Sequence, residues 1–144
     1  MTPTSLRDLE DRLPYQFSEQ SMGIEVTREW MAIFVQLCFV IDVALASNKR
    51  GFYWRQVKEK FGSLRATFRL ADGVYEQEEA FVRSLFDLVA TAAKSSEAIC
   101  ASCGEPGRLD TNDGYLITLC ETHRDQLLVG IHVQLWPTDE EESR

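Results

Sequence analysis

Cys100-Ala-Ser-Cys103-Gly-Glu-Pro-Gly107, followed at a short interval by Leu119-Cys120-Glu-Thr-His123, decides how the C-terminal third of this 144-residue chain is built. Two thiolates two residues apart can grip one ion from a tight turn. A second pair at the same spacing closes a tetrahedron, the geometry that Zn²⁺ takes in structural sites. Cys100, Cys103, Cys120 and His123 are therefore the expected ligands of a structural Zn²⁺, with an iron or redox centre as the alternative. Four protein ligands leave no position for water or substrate, so this centre is expected to staple the fold and not to catalyse. Cys-x-x-His spacing on one helical turn favours His123 over His132 as the fourth ligand. Gly104 suits the positive-φ turn that such a knuckle needs.

The rest of the chain is read outward from that staple. Residues 100–123 follow a long amphipathic stretch, 75–97, in which Phe81, Leu85, Leu88, Val89 and Ala92 form one helical stripe. Before it lie two strand-like runs, 52–61 and 64–70, around Gly62-Ser63. The second alternates: Leu64, Ala66, Phe68 and Leu70 point one way, Arg65, Thr67 and Arg69 the other. In the first, strict alternation groups Tyr53, Val57 and Phe61 with Arg55 and Glu59. A long helix is expected from Thr27, as N-cap, to about Ser47, with Trp30, Ile33, Phe34, Leu37, Cys38, Ile41 and Leu45 facing the core. Residues 4–12 suit a short helix capped by Thr4 or Ser5 and ended near Pro14, and 15–23 read as a loop. Residues 108–109 and 115–119 read as a hairpin across 111–114, and Cys120 opens a short helix.

The expected fold is thus α+β: two long helices packed on an antiparallel β-hairpin, with a C-terminal zinc ribbon or knuckle. One domain is expected over 1–136, including a metal module over 99–129 that packs on the preceding helix. Residues 137–144, rich in acid, are expected to be a disordered tail.

Composition narrows the class. Hydrophobic residues make up 44% of the chain, too many for a disordered one. No basic-then-apolar leader opens the sequence, and the apolar run 30–46 is broken by Gln36 and Asp42, so no membrane segment is expected. The metal-type cysteine spacing then favours a reducing cytoplasm over disulfides. Cys38, left over, sits in an apolar run where a thiol acts as a small hydrophobe.

Net charge is −8, which argues against generic attraction to nucleic acid or anionic lipid. The charge is uneven: residues 49–69 hold Lys49, Arg50, Arg55, Lys58, Lys60, Arg65 and Arg69 against Glu59 alone. Arg55, Lys58, Lys60, Arg65 and Arg69 are the candidate anion- or partner-binding residues. With Tyr53 and Trp54 beside them they could contact phosphates or stack a base. A solvated strand face that discourages edge pairing is the plainer reading.

Three strings together carry a resemblance: Gly23-Ile-Glu-Val-Thr-Arg-Glu-Trp30, Gln56-Val-Lys-Glu-Lys-Phe-Gly-Ser-Leu-Arg65, and the Cys100–Leu109 string with Leu119–His123. In this order they resemble a family of small proteins of bacteria, prophages and phages, in which a Lys-Glu-Lys-Phe-Gly-x-Leu-Arg hairpin precedes a Cys/Cys/Cys/His zinc element. The resemblance covers about residues 20–125. Thr27-Arg28-Glu29 stands where that family often has Gly-Asp-Gly. The resemblance implies a setting of mobile elements and bacterial conflict.

Catalytic signals are missing from the sequence. His123 is committed to metal, and no nucleophile elbow or glycine-rich phosphate loop is present. A zinc deaminase would need a His-x-Glu element before Pro-Cys-x-x-Cys. The chain is expected to be a non-enzymatic, cytoplasmic, zinc-stabilised protein that binds and neutralises another protein, such as a toxin or defence component. The alternative is a nucleic-acid-associated zinc module that uses the basic hairpin 49–69.

Overall fold

The computed structural model describes residues 5–18, 21, 23–112 and 115–136. Among these the fold is α+β, with a three-stranded and a two-stranded sheet. The expected tail, 137–144, lies outside the described residues, as do Thr4 and part of the 111–114 turn.

Helix α1 (Leu6–Arg12) begins where Ser5 Oγ accepts the Asp8 N–H at 3.2 Å, and a 3₁₀ turn at Pro14–Gln16 follows it. Strand β1 (Gly23–Ile24) was not expected. It pairs in parallel with the longer strand β2 (Tyr53–Lys60), in the register Gly23↔Gln56 and Ile24↔Val57. Two residues are too few to show a period of two, so nothing in the sequence marks them.

Thr27 does not cap a helix through its side chain. A 3₁₀ turn (Arg28–Trp30) comes first, and helix α2 (Met31–Leu45) starts from it. Thr27 Oγ1 is buried without a hydrogen-bond partner. The predicted stripe of α2 is buried at Trp30, Phe34, Leu37, Cys38, Ile41 and Leu45, with Val35 added, while Ile33 is half-buried. Cys38 sits wholly inside, and burial pushes its thiol well above the usual range.

Strand β3 (Ser63–Arg69) pairs antiparallel with β2. Its alternation holds: Leu64 and Phe68 are buried, Arg65, Thr67 and Arg69 exposed. Strict alternation fails in β2 because the register shifts between Trp54 and Gln56. A bulge at Arg55 lets Trp54 and Val57, three residues apart, both face the core, with half-buried Arg55 and Gln56 toward solvent. Phe61 leaves the strand face altogether. It takes φ 55° in the turn and is 59% exposed.

The expected helix over 75–97 is two helices, α3 (Val74–Gln77) and α4 (Glu79–Ser96). Glu78 breaks them at φ −127°, ψ 46°, where its carboxylate accepts from Arg50 Nε at 3.0 Å. Arg50 also lies over the Phe81 ring, 4.0 Å from its centroid. Val82, unassigned by the stripe, is buried together with Leu85 and Ala92.

Helices α2 and α4 pack on each other, and α4 lies against β3. A ladder of rings joins helix to sheet: Phe34–Trp54 at 5.5 Å, Trp54–Phe52 at 5.0 Å and Phe52–Phe68 at 5.2 Å between centroids. One polar side chain is buried among them. Gln16 accepts from Trp54 Nε1 at 2.9 Å and donates to the Cys38 carbonyl at 3.0 Å and to Tyr15 Oη at 3.1 Å. No described helix is long and apolar enough to cross a membrane.

Beyond α4 the chain forms a hairpin of β4 (Arg108–Asn112) and β5 (Tyr115–Leu119), then helix α5 (Glu121–Leu128). This segment has a small core of its own around Cys100, Ile117, Leu119 and Val133.

Candidate metal centre

The first two cysteines lie on a turn between α4 and β4. Gly104 N–H donates to Cys100 O at 3.0 Å, and Cys100 N–H to Glu105 O at 2.8 Å. Gly104 takes φ +80°, the left-handed value expected of it, and a Cβ there would stand 2.9 Å from a Glu29 carboxylate oxygen. The second pair straddles the start of α5. Cys120 is its N-cap, and its sulfur accepts the His123 N–H at 3.5 Å.

The turn and the helix start face each other, so Cys100, Cys103, Cys120 and His123 present four ligand atoms within 4.8 Å of one another. Cys103 Sγ lies 3.8 Å from Cys120 Sγ. His123 Nδ1 lies 3.6 Å from Cys100 Sγ and 3.2 Å from Cys120 Sγ. These four can hold a metal ion. His132 is exposed and outside the cluster.

The electrostatics of the cluster fit that use. Burial raises the Cys100 thiol, but main-chain N–H groups of Cys120, Cys103 and Ser102 outweigh it and hold the thiol below its ordinary value. Cys103 is pushed up to about 11, by burial first and then by the neighbouring sulfurs, against the pull of the Glu105 N–H. One thiolate thus forms readily and makes the next one costly. A cation among the sulfurs removes that conflict.

Side-chain hydrogen bonds tie the centre to the rest of the fold. Trp30 Nε1 donates to Ile99 O at 2.9 Å, and the Arg28 guanidinium donates to Ser102 O at 2.9 Å. Thr118 Oγ1, fully buried, donates to Gly62 O at 2.7 Å. Gly62 has φ +78° and lies so close that a Cβ would meet Leu109 Cδ1 at 2.2 Å and the Ile117 main chain at 3.1 Å. The module therefore docks on the β2–β3 turn and on the 3₁₀ turn before α2, not on the preceding helix alone. Sequence reasoning gave Gly62 and Trp30 no such role. The signal lay in the co-occurrence of the three strings, which these contacts bring together.

The five candidate cations lie elsewhere, along the β2–β3 hairpin. Lys58 stands directly opposite Arg65, and Arg69 opposite Tyr53. Among the described residues none of Arg55, Lys58, Lys60, Arg65 and Arg69 forms an ion pair. Lys60 lies over the Phe61 ring at 5.4 Å. Trp54 does not accompany them: it is fully buried and cannot stack on a base. Glu59 points back into the turn, where it accepts the Gly62 N–H at 2.8 Å.

Comparison with protein-family models, curated proteins and solved structures finds no match for this chain.

Proposed function

We propose that the centre binds Zn²⁺ as a structural ion, and that the protein is a non-enzymatic, cytoplasmic binder that neutralises another protein. The ligand spacing carries the first half. Zn–S bonds of about 2.3 Å and a Zn–N bond of about 2.0 Å, at tetrahedral angles, put sulfurs about 3.8 Å apart and sulfur about 3.5 Å from nitrogen. The distances of 3.8, 3.6 and 3.2 Å lie close to these values. Cys100, Cys103, Cys120 and His123 would hold the ion, which supplies cross-linking and no open coordination position. Ligation through Nδ1 leaves Nε2 of His123 free to carry the proton.

The second half is supported by the cations on the outward side of β2 and β3, which have no ion-pair partner among the described residues, in a chain of net charge −8. An acidic protein surface suits them. The resemblance to bacterial and phage proteins makes a toxin or defence component the partner class to test. Zinc analysis of purified protein should give about one ion per chain. Affinity capture from the native host should retain a protein on wild type and lose it on an Arg65→Ala, Arg69→Ala double variant. Wild-type protein that retains nothing and neutralises no neighbouring toxin would remove this function. The nucleic-acid reading keeps the cations but loses Trp54 as a stacking platform. Salt-sensitive binding of single-stranded DNA that the same double variant abolishes would restore it.

A further inference from the structure

Strand β3 ends its sheet, in the order β1-β2-β3, and the two ends of its free edge are already occupied. Leu64 N–H donates to Ser96 Oγ at 2.8 Å, and Leu70 N–H to Tyr75 Oη at 3.1 Å. Ala66 and Phe68 lie between, at alternate positions, and so turn the same way. Their β2 partners agree. Val57, opposite Ala66, gives its carbonyl to Glu25 N–H on the β1 side, and Trp54, opposite Phe68, gives its own to Ser21 Oγ. Both are thus pairs without mutual hydrogen bonds. Among the described residues, neither Ala66 nor Phe68 has a main-chain partner across the edge.

That open edge borders a groove of about 700 Å³ whose far wall is α4. Ala90 and Ala93 keep the wall low, and Val89 and Phe86 line it with apolar surface. Phe86 is 52% exposed and adds apolar surface to the groove. It is held in place against Phe68, at 4.8 Å between centroids. Unsatisfied main-chain groups beside an apolar trough are what an added strand requires.

We propose that this groove binds an extended segment of a partner protein by strand addition to β3, and that the segment alternates acidic with apolar residues. The main-chain groups of Ala66 and Phe68 pair with it. Its apolar side chains enter between β3 and α4, and its acidic ones meet Arg65 and Arg69, which are exposed on the other face. A second copy of this chain fits poorly. Antiparallel pairing of two β3 strands about Thr67 sets Arg65 opposite Arg69 twice over, and like charges directly opposite repel. The proposal deepens the protein-binding function and rests on it.

The test selects a displayed library of random linear peptides against zinc-loaded full-length protein. The expected winners alternate acidic and apolar residues and shift the amide resonances of Ala66 and Phe68. They should bind Ala90→Glu, which fills the trough from an exposed helix position, at least about tenfold more weakly. Ser84→Glu, exposed on α4 outside the groove lining, carries the same charge change and should bind as wild type does. No enrichment, unchanged affinity in Ala90→Glu, or a dimer closed over β3 in sedimentation would overturn the assignment. A host protein still retained by the Ala90→Glu variant would leave the protein-binding function standing while the groove falls.

Discussion

Gly62→Ala tests the joint between hairpin and metal module. Two costs add. At φ +78° an L-residue pays about 1 kcal/mol for the left-handed backbone. The new methyl would also stand 2.2 Å from Leu109 Cδ1 and 3.1 Å from Ile117 N and Cα. Leu109 is 38% exposed and can rotate away. The Ile117 main chain cannot, so the turn must withdraw from β5 and stretch the Thr118–Gly62 hydrogen bond. Overpacking of this kind costs about 1–3 kcal/mol. The sum is about 2–4 kcal/mol, or roughly 6–12 °C of melting temperature for a domain of this size. Gly73→Ala is the control. Its φ is +90°, but its nearest neighbour is the flexible Gln77 side chain at 3.6 Å, so only the backbone cost of about 1 kcal/mol should appear. Thermal melts of zinc-loaded protein decide the matter. A Gly62→Ala loss no larger than that of Gly73→Ala would refute the close docking.

On the proposed zinc reading, a strong chelator should expose three thiols to Ellman's reagent while Cys38 stays silent until global unfolding. Gln16→Leu should destabilise by about 2–4 kcal/mol in urea melts, because it strands the Trp54 indole N–H and the Cys38 carbonyl inside the core. Asp42→Asn should flatten the acid side of the stability profile. Burial works against the Asp42 carboxylate, but hydrogen bonds from Lys49 and Tyr15 hold its pKa below the usual range. A depressed folded pKa adds stability above the unfolded value, near 3.9, and loses it as pH falls through the folded one. The effect should be small, since Lys49 and Asp42 are each about one-third exposed. Melts from pH 6 down to 2 check the sign.

The clustering of Cys100, Cys103, Cys120 and His123 was legible because metal chemistry asks for both residue type and spacing, and such constraints are local. The α2 stripe and the β3 alternation were legible for the same reason: each repeats over enough residues to show its period. The β2 strand was misread at one point, where a single bulge residue, Arg55, reversed the facing of what precedes it. A bulge leaves no reliable mark on hydrophobic pattern. The break at Glu78 was not legible, and the residue that bonds its carboxylate there, Arg50, comes from a turn distant in sequence. Thr27 has the residue type of an N-cap, but the chain passes through a 3₁₀ turn first and leaves its hydroxyl unused. In each case tertiary structure overrode a local preference.

The three strings behind the resemblance also divide into parts by what they touch. Trp30 and Arg28 from the first bond to the carbonyls of Ile99 and Ser102 beside the cysteines. In the second, Glu59 holds the Gly62 N–H, Gly62 receives Thr118, Ser63 Oγ donates to Ala93 O, and Leu64 N–H reaches Ser96. These residues join three segments distant in sequence, and a change at any of them should read out as stability. Lys58, Lys60 and Arg65 from the same string touch none of those joints. Of these three, among the described residues only Lys60 uses its charge, over the Phe61 ring, and Lys58 facing Arg65 directly across two strands costs stability as a like-charge pair. That cost sits at the surface beside a strand edge where, among the described residues, Ala66 and Phe68 have no main-chain partner, the place where the proposed partner would bind. Substituting Lys58 with Glu should therefore stabilise the isolated protein slightly and weaken capture of an acidic partner, and loss of both together would place the charge in the fold.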